Sequence, residues 1–387
     1  MSFDFNISPI VTDIKPSGIR KFFDLANEME GVLSLGIGEP DFVTPWHIRD
    51  AGIRSLEEGR TYYTSNSGLI PLRQEVCNYF DRRFKLKYNE KEVLITVGGS
   101  EAIDLAVRAL VSEGDEVLIP EPCFVCYEPC VRLAHGIPVP IVTEEKDNFI
   151  LTPEKLKEKI TPKTKLLVLP FPNNPTGAIM TKEQLEAIAD VLKDTNIAVL
   201  SDEIYAELTY SGKHFSIANI PEMKERTIIV GGFSKAYAMT GWRLGFALGD
   251  ASVILAMTKI HQFAIMSAPT TSQYAAIEAL KNGDDDIEDM AMQYDKRRRV
   301  LIERLNEMGL NCFEAKGAFY VFPSIKSTGL SSEDFCRQLL EKKKVAVIPG
   351  NAFGESGEGH VRISYAYPIN TIKKALDKIQ EFLEELK

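Results

Sequence analysis

A lysine held in apolar surroundings can attack a carbonyl as a neutral amine, because desolvation disfavours its charged form. Lys235 meets that description: the strand-like run TIIV and Gly231-Gly232 lead to it, Phe233 precedes it, and Tyr237-Ala238-Met239 follow. Arg243 stands eight residues further on. Alone, the pattern also fits a surface lysine at a turn. Asn173-Asn174-Pro175-Thr176-Gly177 comes directly after LLVLPFP. These are turn formers, but they also set a neutral amide at the carboxyl end of a strand. Ser201-Asp202-Glu203-Ile204-Tyr205 follows another apolar run. A carboxylate there is either a helix cap or a buried anion awaiting a cation. Gly98-Gly99-Ser100, ahead of EAIDLAVRALVSE, offers backbone N–H groups that could hold a phosphate, although many strand-to-helix turns look similar.

These residues need elements that bring them to one place. From residue 93 to about 250, short apolar β-branched runs alternate with amphipathic helical ones. Strands are expected at 93–97, 116–119, 138–142, 166–169, 197–200, 228–230 and 245–248, with helices such as 182–193 between them. Ser100 is the expected N-cap of the first of these helices. Near-continuous apolar strands alternating with helices predict an α/β fold whose mostly parallel sheet is covered on both faces. Ligands of such sheets bind where the strands end. After about residue 285 the texture changes to a long helix (287–308), short strands in CFEA, GAFYVFPSI, VAVIPG and HVRISYA, and a closing helix. That predicts a smaller α+β domain with an antiparallel sheet. The first 45 residues are Gly- and Pro-rich and are expected to wrap onto this second domain or onto a partner subunit.

Composition bounds the alternatives. The chain has 387 residues, 44% hydrophobic and 26% charged, ordinary values for a globular protein. With 45 basic and 55 acidic residues its net charge is −10, which disfavours nucleic acid as a partner. The basic run Lys296-Arg297-Arg298-Arg299 sits in a helical pattern and reads as a solvated face. No apolar run reaches the roughly 18 residues that span a bilayer, and the amino end has no signal-like apolar core, so a cytoplasmic protein without membrane partners is expected. Cys123, Cys126 and Cys130 could suggest a metal site, but no second cysteine pair follows, and packing is the better reading. No G-x-G-x-x-G follows the first strand of the α/β region, which argues against a dinucleotide-dependent dehydrogenase.

A lysine, a carboxylate, an amide, a tyrosine and a phosphate cradle at one sheet edge are what a pyridine aldehyde phosphate requires. SKAYAMTGWRLGF, with PFPNNPTG and LSDEIY before it, LSLGIGEPDFVTP near the start and HVRISYA near the end, resembles the class I/II aminotransferases of fold type I, which use pyridoxal 5′-phosphate (PLP). The resemblance runs in order over nearly the whole chain. Within the family it is similar to the bacterial and archaeal branch holding aspartate, aromatic and N-acetyl-diaminopimelate aminotransferases. It implies a large PLP-binding domain (46–284) and a small domain (285–387) joined by the amino-terminal segment (1–45). Lys235 matches the Schiff-base lysine, which also moves the proton between Cα and C4′. Asp202 matches the partner of the pyridinium nitrogen, Tyr205 and Asn174 the donors to the phenolate oxygen, and Phe124 the aromatic that stacks on the ring. Gly99 and the backbone N–H groups of Ser100 and Glu101, with Arg243 and Ser234, match the phosphate site. Tyr63 matches a tyrosine that reaches the phosphate of the neighbouring subunit, which implies a homodimer with shared sites. Arg362 matches the clamp on the substrate α-carboxylate, with Gly38 contributing a backbone contact beside it.

Some aspartate-specific relatives carry a lysine where this chain has Ser100. Arg20 is then a candidate for reading an acidic side chain, or it is an ordinary helix-surface arginine. The resemblance implies a ping-pong exchange between an amino acid, aspartate first and aromatic next, and a 2-oxo acid such as 2-oxoglutarate. The alternative on the same fold is a β-elimination lyase of the cystathionine lyase type, which would expel a group from Cβ.

Overall fold

The computed structural model describes residues 5–16, 18–19 and 29–386. Its centre is a seven-stranded sheet built from β2 (Val93–Thr96), β3 (Glu116–Glu121), β4 (Ile137–Val142), β5 (Thr164–Leu169), β6 (Ala198–Asp202), β7 (Thr227–Gly232) and β8 (Gly245–Leu248), in the order β2-β8-β7-β6-β5-β3-β4. A short strand, β1 (Leu33–Ser34), precedes them in the chain and lies outside this sheet. The pairs β3–β4, β3–β5, β5–β6 and β6–β7 are parallel, and β8 runs antiparallel to both its neighbours. The sheet is therefore mixed but mostly parallel, and the fold is α/β.

Strand periodicity explains why the expected runs are apolar almost throughout. In β5, Leu166 and Val168 pack into one core layer with Leu200 and Val230. Leu167 and Leu169 face the opposite layer with Leu118 and Val199. Each such side chain, fully buried, stabilises the fold by about 1.5–3 kcal/mol relative to exposure. β4 lies at the sheet's edge and contains Pro138 and Pro140, which an edge strand tolerates because their missing N–H groups leave no central ladder bond unmade.

One helix start differs from expectation. The helix Gly99–Leu110 begins two residues early, with Gly98 as its N-cap at φ 81° and Ser100 already inside it. Two features move the start. Gly98 takes an extended, positive-φ conformation that suits glycine, and a Cβ there would lie 2.8 Å from Arg243 Nη2. The Glu101 side chain accepts a hydrogen bond from Val97 N just ahead of the helix, and no side chain, Ser100 included, caps its first N–H groups.

Toward the carboxyl end, the helix Asp284–Glu307 leads to β9 (Tyr320–Val321), β10 (Val345–Ala346), β11 (Ile348–Pro349) and β12 (Val361–Ser364). β9, β11 and β12 form a three-stranded antiparallel sheet in the order β11-β12-β9. β1 pairs in parallel with β10, which ties the amino-terminal region to the carboxyl-terminal one. The segment CFEA forms no strand. Cys312 N instead donates to Asn306 Oδ1 and Asn306 Nδ2 donates to Cys312 O, so these backbone groups are satisfied by the preceding helix end.

Candidate active site

The carboxyl ends of β2, β3, β5, β6 and β7 meet on one edge, and the loops beyond them line a cavity of ≈ 380 Å³. Gly99, Ser100, Phe124, Asn174, Asp202, Tyr205, Ser234, Lys235 and Arg243 all line it, as do Gly38 from the amino-terminal region and Arg362 from β12. Thus eleven of the sequence-derived site residues share one space. Glu101 presents its side chain elsewhere, as shown below. Tyr63 lies apart, highly exposed, and lines a surface cleft with Arg60, Tyr62 and Tyr274. Arg20 lies outside the described residues, although its neighbour Ile19 reaches the cavity.

Lys235 follows the end of β7, where the loop carries it under protein rather than into water. Its Nζ donates to Gly38 O at 2.6 Å and lies 5.8 Å from the Tyr205 ring centroid. Burial lowers its pKa to about 8, helped by the positive charges of Arg362 and Arg243 and opposed by Glu39 and Asp202. The amine is therefore mostly neutral between about pH 8 and 10.5, where a solvated lysine would be charged.

Asp202 ends β6 and is almost fully buried. Its Oδ2 accepts from Tyr127 Oη at 2.7 Å and its Oδ1 from Ile204 N at 3.2 Å. Burial raises its pKa to about 6, against the pull of these two bonds. No ion pair satisfies it among the described residues. A buried carboxylate in this position is suited to a cationic N–H arriving with a ligand.

The loop after β5 contains the cis bond Asn174-Pro175 and directs Asn174 across the cleft. Its Oδ1 accepts from Arg362 Nη1 at 2.9 Å. Arg362 also donates through Nη2 to Gly36 O, while its Nε has no partner. The guanidinium lies between two rings, 4.4 Å from the Tyr320 centroid and 4.7 Å from that of Phe353. A buried arginine with an unpartnered donor can receive a carboxylate.

At the amino end of the helix Gly99–Leu110, backbone N–H groups face the same cavity, with the guanidinium of Arg243 close to Gly98. This combination suits a phosphate. The Glu101 carboxylate points away from that role, for it accepts from Val97 N and pairs with His261 Nδ1 at 2.8 Å. Only its backbone remains available to an anion. Phe124 lines the cavity and packs edge-on to Tyr127, with centroids 6.3 Å apart. Cys123, Cys126 and Cys130 pack in or against the apolar layer containing Ile119, Val131 and Leu200.

Tyr127 and Tyr320 are site residues that sequence reasoning missed. Each stands in an apolar string that reads as core, and both are indeed buried. Their hydroxyls find Asp202 and Tyr205, respectively, at sequence separations of 75 and 115. The only signal was the polar tip on an otherwise buried residue, which usually finds a partner.

The model of the family "Aminotransferase class I and II" matches residues 30–379. The chain is 53% identical over 380 residues to a putative aminotransferase, YugH, of Bacillus subtilis, covering 98% of each chain. It is 44% identical to aromatic-amino-acid aminotransferase 2 of Thermococcus litoralis, covering 97% of each. The solved aspartate aminotransferase of Thermus thermophilus with maleate superposes with a TM-score of 0.93 at 37% identity, covering 98% of this chain and all of that one.

Proposed function

This chain belongs to the class I and II aminotransferases and is a transaminase, and we propose that it works through PLP held on Lys235. That family uses PLP. The observation that carries the proposal is the pairing of a half-buried, weakly basic Lys235 with a buried, unneutralised Asp202 around one cavity. The donor set fits the cofactor: a neutral amine for its aldehyde, a carboxylate for its ring nitrogen, and Tyr205 and Asn174 for its phenol oxygen. Phe124 would stack on its ring. The helix amino end at Gly99, Ser100 and Glu101, with Ser234 and Arg243, would hold its phosphate.

When bound, PLP supplies an aldehyde that takes up the amino group and a protonated ring that accepts the electrons of the substrate Cα–H bond. The protein's residues do the rest. Arg362 and the backbone near Gly38 hold the α-carboxylate, fixing the orientation of the Cα–H bond. The Lys235 amine would carry the proton away from Cα. Asp202 keeps the ring nitrogen protonated. The division into 46–284 and 285–387 with 1–45 follows from this reading, since Arg362 and Gly38 then close over a cofactor bound by the larger part.

Amino donors of the aspartate class come first in this proposal and aromatic ones next, with 2-oxoglutarate as a natural acceptor. Relatives carrying both names support that pair. Neither the site nor the relatives favour the β-elimination alternative. A homodimer with shared sites is supported by the exposed apolar side chains Val43, Trp46, Tyr62, Tyr63 and Phe263. Among the described residues no helix is long and apolar enough to cross a membrane. A cytoplasmic location is proposed from the six cysteines, all free. A panel of amino donors with 2-oxoglutarate, repeated with R20A, tests the substrate assignment. Selective loss of acidic donors in the variant would identify Arg20 as the side-chain reader. An unchanged profile would remove it from the site.

A further inference from the structure

Tyr320 stands at the junction of the two halves of the site. Its hydroxyl lies 3.0 Å from that of Tyr205, and its ring lies under the Arg362 guanidinium, 4.4 Å from centroid to Cζ. Both tyrosines are nearly fully buried and both line the cavity, so their hydroxyls have few partners outside it. Tyr320 also fixes the chain opposite. A Cβ at Gly38 would collide with its hydroxyl, and the Gly38 carbonyl is the one that accepts from Lys235 Nζ.

A phenol has one proton and two lone pairs. If Tyr205 uses its proton on the cofactor's phenol oxygen, the contact between the tyrosines remains a hydrogen bond only with Tyr320 as donor. We propose that Tyr320 is a positioning residue with two separable roles: its hydroxyl donates to Tyr205 and sharpens it as a donor to the cofactor, and its ring holds Arg362 ready for the substrate carboxylate. The inference rests on the PLP reading above. It adds a residue that acts through two others, Tyr205 on the cofactor and Arg362 on the substrate carboxylate.

The hydroxyl role follows from cooperativity. A donor whose own oxygen accepts a hydrogen bond becomes more polarised, strengthening its bond by roughly 10–30%. A donor at the cofactor's phenol oxygen favours the deprotonated form there and lowers the pH at which the holoprotein's visible band changes. The ring role follows from the cation–π contact, which in a desolvated position holds a guanidinium in one plane.

The test uses the holoprotein, with the pH midpoint of its visible band and the affinity for maleate, an unreactive dicarboxylate, as readouts. Y320F removes the hydroxyl and keeps the ring. Its midpoint is expected to rise by about 0.2–0.5 of a pH unit, less than in Y205F, with maleate affinity unchanged. In the double variant Y205F/Y320F the midpoint is expected to equal that of Y205F, because the Tyr320 hydroxyl acts only through Tyr205. Y320L removes the ring as well and is expected to weaken maleate binding by about 3- to 10-fold beyond Y320F.

No shift in Y320F, or an equal shift with and without Tyr205, would overturn the hydroxyl role. Equal maleate affinities in Y320F and Y320L would overturn the ring role. Thermal unfolding of each variant identifies any that is misfolded, and Y320F alone still decides the hydroxyl role. A wild-type protein that binds no PLP would instead sink the aminotransferase reading, so the two failures are distinguishable.

Discussion

Lys235 and Asp202 face one cavity, yet they form no ion pair, and burial moves both toward neutrality. The lysine falls to about 8 and the carboxyl rises to about 6. Capture of PLP by the apoprotein requires the neutral amine, so its rate is expected to climb with pH with a midpoint at about 8. Stopped-flow absorbance would show this, and a midpoint near the ordinary lysine value would contradict it. For Asp202, the folded chain keeps a proton between 3.8 and about 6 that the unfolded chain releases. The apoprotein therefore loses stability as pH rises through that window, by about 3 kcal/mol at most. Asp202→Asn should be more stable than wild type as apoprotein at pH 7.5, by urea unfolding, yet retain PLP poorly. Lower stability of the variant would mean that the carboxylate is compensated in the fold. The sequence made these two residues legible because each follows an apolar strand at a glycine-rich or acidic turn. It could not show Tyr127 and Tyr320, whose partners are distant in the chain and whose neighbours are apolar.

At the scale of elements, the strands were readable because both faces of the sheet are covered, which leaves near-continuous apolar runs between helices. The start of the helix Gly99–Leu110 was less so. Its onset depends on the approach of Arg243 to Gly98 and on the inward turn of the Glu101 side chain, both tertiary effects. Gly98→Ala would force a side chain into an extended, positive-φ conformation (φ 81°, ψ 169°) at a cost of about 1–3 kcal/mol and push against the guanidinium. The denaturation midpoint should fall, and PLP should dissociate faster on dilution. A variant with wild-type stability and retention would show that the turn relaxes freely. The short strands β9 to β12 were harder to bound from sequence. Two or four residues carry little periodicity, and their pairing is set by partners distant in the chain, β1 for β10 and the three-stranded sheet for the others.

For the whole molecule, the pairing of β1 with β10 brings the chain's beginning to its end and places Gly38 and Arg362 at the same cavity. Tyr63 stands outside that cavity, among exposed apolar residues. If it serves the neighbouring subunit, sedimentation should show a dimer. Tyr63→Phe should then leave the dimer intact and release PLP more readily. Unchanged retention would assign Tyr63 to the surface alone. The central claim is that the amino group passes from substrate to cofactor within this site. It is tested most directly by adding one amino acid to the PLP-loaded protein, without any oxo acid, while recording the near-ultraviolet and visible spectrum. The account predicts conversion to the amine form of the cofactor, one 2-oxo acid released per site, and reversal by 2-oxoglutarate. Release of pyruvate and ammonia without that conversion, or no spectral change with any amino acid, would contradict it.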